Sequence, residues 1–259
     1  MKIRPGIELG NRSDVGCERT ENEDNFCYAE PEHDDDLQKK GRLAVVADGM
    51  GGHEGGQVAS SLAVEAVRDV FLHGANSDPT DALVNAYQAA HSAIQDYARE
   101  HPELAGMGTT CTTALLHNGQ LIYGHVGDSR LYLVRNDAIT RLTRDHSYVQ
   151  EMVDKGVISP NEAKHHPSRN ILTSALGSDN PVQADFAEAP IPLQPGDILL
   201  LCTDGLHGLV SDEEMLALSQ RNPPGEACKE LVEMAKARGG FDNITVQILR
   251  FNGASTAAP

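Results

Sequence analysis

From residue 42 to residue 47 the chain is almost wholly apolar and rich in valine, which predicts a buried strand closed by Asp48-Gly49. Beyond Gln57 the spacing changes. Ala59, Leu62, Ala63, Ala66, Val67, Val70 and Phe71 recur at three- and four-residue intervals and predict a helix to about His73. Asp78-Pro79 opens a second helix, an N-cap acid followed by proline at the first helical position. Leu83, Tyr87, Ala90, Ile94 and Tyr97 form its apolar face. Three strands follow at 109–117, 120–126 and 129–134, the first two joined by the hairpin signal Asn118-Gly119.

Ser147, with Gln150 three residues on, caps a helix that stops at Gly156, and residues 157–170 read as irregular. A strand at 197–203 leads to Asp204-Gly205. Ser211 and Glu214 cap a short helix, and Cys228, Leu231, Val232 and Ala235 mark a last one ended by Gly239-Gly240. At 243–250, Ile244, Val246 and Ile248 alternate with polar neighbours, the pattern of a half-buried strand. The acidic run Glu32-His-Asp-Asp-Asp36 is expected to be a solvated hairpin tip. Antiparallel strands with long helices outside make the chain α+β. No Pro- or Ser-rich linker divides it, so one domain over residues 1–251 is expected, with 252–259 a disordered tail.

Charge narrows the function classes. The 259 residues carry a formal charge of −17, which disfavours nucleic acid and anionic membrane surfaces as partners. The five cysteines form no C-x-x-C pair, so neither a zinc knuckle nor a disulfide framework is expected, and a cytoplasmic setting is. No signal-peptide core opens the chain, and no apolar run approaches the roughly 20 residues of a membrane span.

The candidate chemistry is acidic. Asp48, Asp128, Asp204 and Asp242 lie in widely separated segments, each at the edge of an apolar run or beside Gly or Asn. Carboxylates held at strand ends with few local cations suggest convergence on hard divalent metal ions. The segment Arg19-Thr-Glu-Asn-Glu23-Asp24-Asn25 adds two adjacent acids and a guanidinium fork suited to phosphate oxygens. Neighbouring carboxylates in a strand point to opposite faces, so one binds directly and the other orients water, provided the chain bends there. In Asp48-Gly-Met-Gly-Gly-His-Glu-Gly-Gly56 the glycines allow close approach and make the Gly49 carbonyl a candidate ligand. No Gly-Lys-Ser/Thr follows, which excludes a P-loop.

Taken in order, Arg19…Glu23-Asp24, Asp48-Gly-Met-Gly-Gly-His53, Gly108-Thr-Thr110, Gly127-Asp-Ser-Arg130, Asp204-Gly205 and Asp242-Asn243 resemble the metal-dependent protein Ser/Thr phosphatases (PPM, or type 2C). Asp-Gly-Met-Gly-Gly-His and Leu142-Thr-Arg-Asp-His-Ser147 are similar to the bacterial branch, and the resemblance runs from about Ser13 to Leu249. It implies a four-layer α-β-β-α sandwich, two antiparallel sheets flanked by helix pairs with a dinuclear Mn²⁺ or Mg²⁺ centre between them. By position, Asp48 would bridge both ions, Asp204 and Asp242 would complete one, and Glu23 with the Gly49 carbonyl would hold the other. Asp24 would orient a water, Asp128 with Asp204 would serve a weaker third ion, and Arg19 would bind the substrate phosphate. The implied reaction is in-line attack by a metal-bridging hydroxide on phosphoserine or phosphothreonine, with no phosphoenzyme. Phosphorylated proteins and a cognate Ser/Thr kinase are the implied partners.

Two positions depart from the wider pattern. Met50 stands where eukaryotic members carry a histidine proposed as general acid, which leaves His53 or water as the proton donor. Thr203 stands where serine is usual. Residues 145–170 correspond to a flap beside the active site, whose His165, His166 and Arg169 are expected to face solvent. Two rivals come from other classes. A catalytically silent phosphatase-like sensor would lack metal acids, and none is lacking here. A two-metal hydrolase of nucleotides would prefer nucleotide over phosphopeptide.

Overall fold

The computed structural model describes residues 4–51, 54–75 and 78–253. Among the described residues twelve strands divide between two antiparallel sheets. One sheet has the order β1 (Ile7–Asp14), β12 (Ile244–Phe251), β11 (Ile198–Cys202), β7 (Arg130–Arg135) and β8 (Ala138–Arg141). The other has the order β10 (Ile191–Pro192), β6 (Gln120–Val126), β5 (Cys111–His117), β3 (Arg42–Met50) and β2 (Asp24–Ala29), with β4 (Gly108–Thr109) on β3 and β9 (Asp185–Phe186) on β6.

Two-residue alternation builds the layers. Ala44 and Val46 of β3 face the other sheet, packing with Leu199, Leu201, Leu131 and Leu249. Leu43, Val45 and Ala47 face outward and are covered by α2 (Gly55–His73) and α3 (Pro79–Glu100). On the other side Leu200, Cys202, Val246 and Ile248 pack under α8 (Pro224–Ala237) beside α7 (Asp212–Arg221). The result is the expected α-β-β-α sandwich.

Three expectations change. The 243–250 segment is not half-buried. Because β12 is paired on both edges and covered on both faces, Thr245 and Gln247 are as buried as Ile244 and Val246. The acidic run lies exposed at the tip between paired β2 and β3, as expected, but it is wound there into a helix, α1 (Asp34–Lys40). Its three aspartates lie in the first turn and its lysines in the last, matching the helix dipole at both ends. Lys40 also donates to the Leu72 and Gly74 carbonyls at the end of α2. Within the flap, beyond α4 (Tyr148–Asp154), residues expected to be irregular contain α5 (Pro160–Lys164), started by the capping box of Ser159 and Glu162. The short α6 (Asp204–His207) follows β11 directly. Edge strand β1 escapes the periodicity because only Ile7 and Gly10 are buried in it. Asn252 donates to the Gly6 carbonyl at 2.9 Å, and the rest of the predicted tail, 254–259, lies outside the described residues.

Candidate metal centre and phosphate site

The expected acids meet at one end of the sandwich because the alternation that fills the inter-sheet core continues past its last apolar residue. Two residues beyond Val46 is Asp48, two before Phe26 is Asp24, and Asp24 and Asp48 are cross-strand partners. Two residues beyond Leu201 is Thr203, and Asp204 then opens α6. Asp242 precedes the start of β12. The remaining candidates lie where the chain crosses between sheets. Arg19 and Glu23 are on the connection from β1 to β2, and Asp128 is on the connection from β6 to β7.

Local hydrogen bonds hold these segments in place. The Asp48 N–H donates to Thr110 Oγ1 at 2.8 Å, and its carbonyl accepts from the Thr110 N–H and the Thr109 hydroxyl, both at 2.9 Å. Thr110 Oγ1 lies 2.7 Å from Ser129 Oγ, which ties Asp48 to the Asp128 crossover. Asn243 performs the same task for Glu23. Its Oδ1 accepts the Glu23 N–H at 2.7 Å, while Nδ2 donates to the Val15 and Glu21 carbonyls. Glu23 thereby lies just outside the strand that Asp24 begins. A Cβ on Gly49 would come within 2.0 Å of the Gly56 carbonyl, and one on Gly56 within 2.6 Å of Glu23 Oε1. The Gly49 backbone therefore reaches this crowded corner only without side chains.

Behind Asp128, the Arg130 guanidinium grips Asp145 at 3.0 and 2.7 Å. Burial raises the Asp145 carboxyl, but Arg130 overrides it and holds it at about 2. His207 Nε2 donates to the Asp128 carbonyl at 3.0 Å. His146, at the base of the flap, donates its N–H to the Gly127 carbonyl at 2.7 Å. A cavity of about 600 Å³ extends from Asp128 and Asp204 between the flap and α7, past Arg141, Lys164 and Arg169.

The electrostatics are those of acids awaiting cations. Burial pushes Asp24 up to about 7, against hydrogen bonds from Thr245 and Thr203 that pull it down, with the charges of Asp204 and Asp242 adding to the rise. Burial and the charges of Asp24, Asp204 and Asp128 raise Asp48 well above the carboxylate range. Burial followed by Asp204 does the same to Asp128, and burial followed by Asp242 lifts Asp204 to about 6. Arg19 is the positive group among them, 2.9 Å from Asp242 and 3.5 Å from Glu23. Asp24 Oδ1 and Asp204 Oδ1 are buried without a hydrogen-bond partner. Among the described residues no three His, Cys, Asp or Glu side chains already close on one point as a finished ligand shell. Unpartnered oxygens and mutual repulsion nevertheless fit hard divalent cations, which would neutralise the cluster. His53, the candidate proton donor, lies outside the described residues. Thr110, Asn243, Thr203, Arg130 and Asp145 were not assigned site roles from sequence, although Thr110, Asn243, Arg130 and Asp145 stand inside the motifs quoted for the resemblance.

This fold is that of the protein phosphatase 2C family, whose family model matches residues 30–238, and the chain belongs to that family, within its bacterial branch. It is 38% identical over 252 residues to the serine/threonine phosphatase stp of Listeria innocua, covering 93% of this chain and 94% of that protein. It is 40% identical over 243 residues to the serine/threonine protein phosphatase PstP of Mycobacterium tuberculosis, covering 93% of this chain and 44% of that longer protein. The crystal structure of the PstP catalytic domain in complex with two manganese ions aligns with a TM-score of 0.82 at 35% identity, over 95% of this chain and 99% of that one.

Proposed function

We propose that residues 1–251 form one catalytic domain that hydrolyses phosphoserine and phosphothreonine in proteins, with Mn²⁺ or Mg²⁺ as cofactor. The observation that carries this is the convergence of Asp24, Asp48, Asp204 and Asp242 from two sheets onto a corner where Arg19 lies within 2.9 Å of Asp242. Asp48 would hold both ions, Asp204 and Asp242 would complete one, and Glu23 with the Gly49 carbonyl would complete the other; Asp128 would serve a weaker third. Bound divalent ions supply Lewis acidity that makes hydroxide available near neutral pH.

The protein's own groups do the rest. Arg19, about half exposed, swings from Asp242 and Glu23 to the substrate phosphate, where its fork offsets the charge of the transferring oxygens. Asp24 orients the attacking water by accepting a hydrogen from it. Met50 is exposed after Gly49 and brings no acid, which leaves His53 or solvent to supply the proton for the leaving oxygen. The flap over residues 145–170 borders the cavity through which a protein substrate enters. A cognate Ser/Thr kinase is the expected opposing activity, and phosphorylated proteins are the substrates. Among the described residues no helix is long and apolar enough to cross a membrane. A cytoplasmic location is proposed on the five free thiols. The test is release of phosphate from a phosphothreonine peptide with Mn²⁺, against the same peptide with chelator and against a nucleotide. A nucleotide turned over in preference to the peptide would overturn the substrate assignment.

A further inference from the structure

Asp24 has two carboxylate oxygens with opposite circumstances. Oδ2 accepts a hydrogen bond of 2.9 Å from the Thr203 hydroxyl, and Oδ1 is buried with no partner. The direction of the Thr203 bond is fixed by proton count. Its oxygen already accepts the Thr245 N–H at 3.0 Å, so its single hydrogen is available to Asp24. Its backbone is fixed as well, since the Thr203 N–H donates to the Thr245 carbonyl at 3.1 Å. Both threonines are fully buried, so water does not compete for these bonds.

A second set of bonds ties the Asp24 backbone to β1, which shares a sheet with β11 and β12. The Asp24 N–H donates to Asn22 Oδ1 at 3.2 Å, and Asn22 Nδ2 donates to Ser13 Oγ at 2.8 Å. Ser13 Oγ lies 2.7 Å from Thr245 Oγ1. The Thr203 hydroxyl thus reaches Asp24 from the facing sheet, while Asn22 and Ser13 fix the backbone that carries the carboxylate. The terminal torsion of an aspartate is otherwise broad and nearly two-fold, and a charge-assisted bond to one oxygen removes that freedom.

We infer that Thr203 is a positioning residue for the phosphatase reaction: its hydroxyl ties Asp24 Oδ2 and leaves Oδ1 as the one free acceptor for the attacking water. The inference rests on the role proposed above for Asp24. A purely structural threonine would lower stability when its hydroxyl is removed. A positioning threonine also lowers kcat without changing how the peptide binds.

The test compares wild type, Thr203→Ser and Thr203→Val for phosphothreonine-peptide hydrolysis, Mn²⁺ binding by calorimetry, and thermal melting. The expected result is a cooperative melt for the valine chain, an unchanged KM, kcat reduced at least about tenfold, and weakened Mn²⁺ binding, with serine restoring kcat to within about threefold. Should the valine chain fail to fold, Thr203→Ala removes the hydroxyl without adding bulk and is judged by the same criteria. A folded valine or alanine chain with wild-type kcat and a wild-type Mn²⁺ isotherm overturns the inference, as does a serine chain equally impaired. An inactive wild type would count against the phosphatase assignment itself, and the Mn²⁺ isotherms of the variants would still decide the role of Thr203.

Discussion

Gly56 opens the second helix with no side chain, and Glu23 fills the space. Alanine there would gain about 1 kcal/mol of helix propensity. It would also place a methyl 2.6 Å from Glu23 Oε1 and 2.9 Å from the Gly49 carbonyl carbon, overpacking that typically costs about 1–3 kcal/mol. The clash wins, and it falls on a proposed ligand. Gly56→Ala is expected to weaken Mn²⁺ binding and kcat/KM by roughly tenfold, read by calorimetry and steady-state assay. A variant with unaltered metal affinity would remove Glu23 from the proposed ligand set. At this scale Asp48 and Asp204 were readable because each closes an apolar run that marks a strand end, whereas Glu23 was reached only through its motif. Their supports were not. Asn243 acts on Glu23 and Thr203 on Asp24 across separations of 220 and 179 residues, and no local pattern records such a bond.

The long second helix of the pair on β3 begins with Asp78, whose side chain accepts the Thr80 and Asp81 N–H groups. Asp78→Ala should cost about 1 kcal/mol, a fall in melting temperature of roughly 2–4 °C at this size, with kcat unchanged. A lowered kcat at equal folded fraction would mean that this helix end influences the site. Among the strands, β6 carries His125, held between the Thr112 hydroxyl at 2.9 Å and the Arg144 carbonyl at 3.1 Å. Burial lowers its pKa to about 4, with His146 adding to the effect. The unfolded chain takes up this proton near pH 6.5 and the folded chain only near 4, so acidification between those values destabilises the fold by up to about 3 kcal/mol. His207, lowered by burial to about 3, acts in the same sense. His125→Gln should therefore show a flatter dependence of urea midpoint on pH between 6.5 and 4, and an unchanged slope would contradict the buried neutral imidazole. Element type was legible wherever periodicity was long, as in α2 and α3. It failed in α1, where the charge order of three aspartates before two lysines carried the signal; in β12 the strand was read but not its burial on both faces, which includes Thr245 and Gln247.

For the whole molecule, the net charge of −17 and the raised carboxyls point the same way. A carboxyl whose folded pKa is raised costs stability as pH climbs from the unfolded value toward the folded one, so the metal-free cluster is more costly at pH 8 than at pH 6. Divalent cations should relieve that cost. At a free Mn²⁺ concentration one hundred times its dissociation constant, linkage adds about 2.7 kcal/mol, on the order of 5–10 °C in melting temperature. Chelator should reverse the gain, with a larger effect at pH 8, and a melting curve indifferent to Mn²⁺ would mean that the acids are structural. The convergence of separate segments onto two sheet crossovers was the part the linear pattern could not supply, since it depends on which strands lie in which sheet. The most direct test of the central claim is Mn²⁺-dependent phosphate release from a phosphothreonine peptide by wild type and Asp204→Asn. The cluster predicts turnover by wild type that chelator abolishes and that the variant loses by several orders of magnitude. Activity surviving both treatments would contradict a metal centre built on these acids.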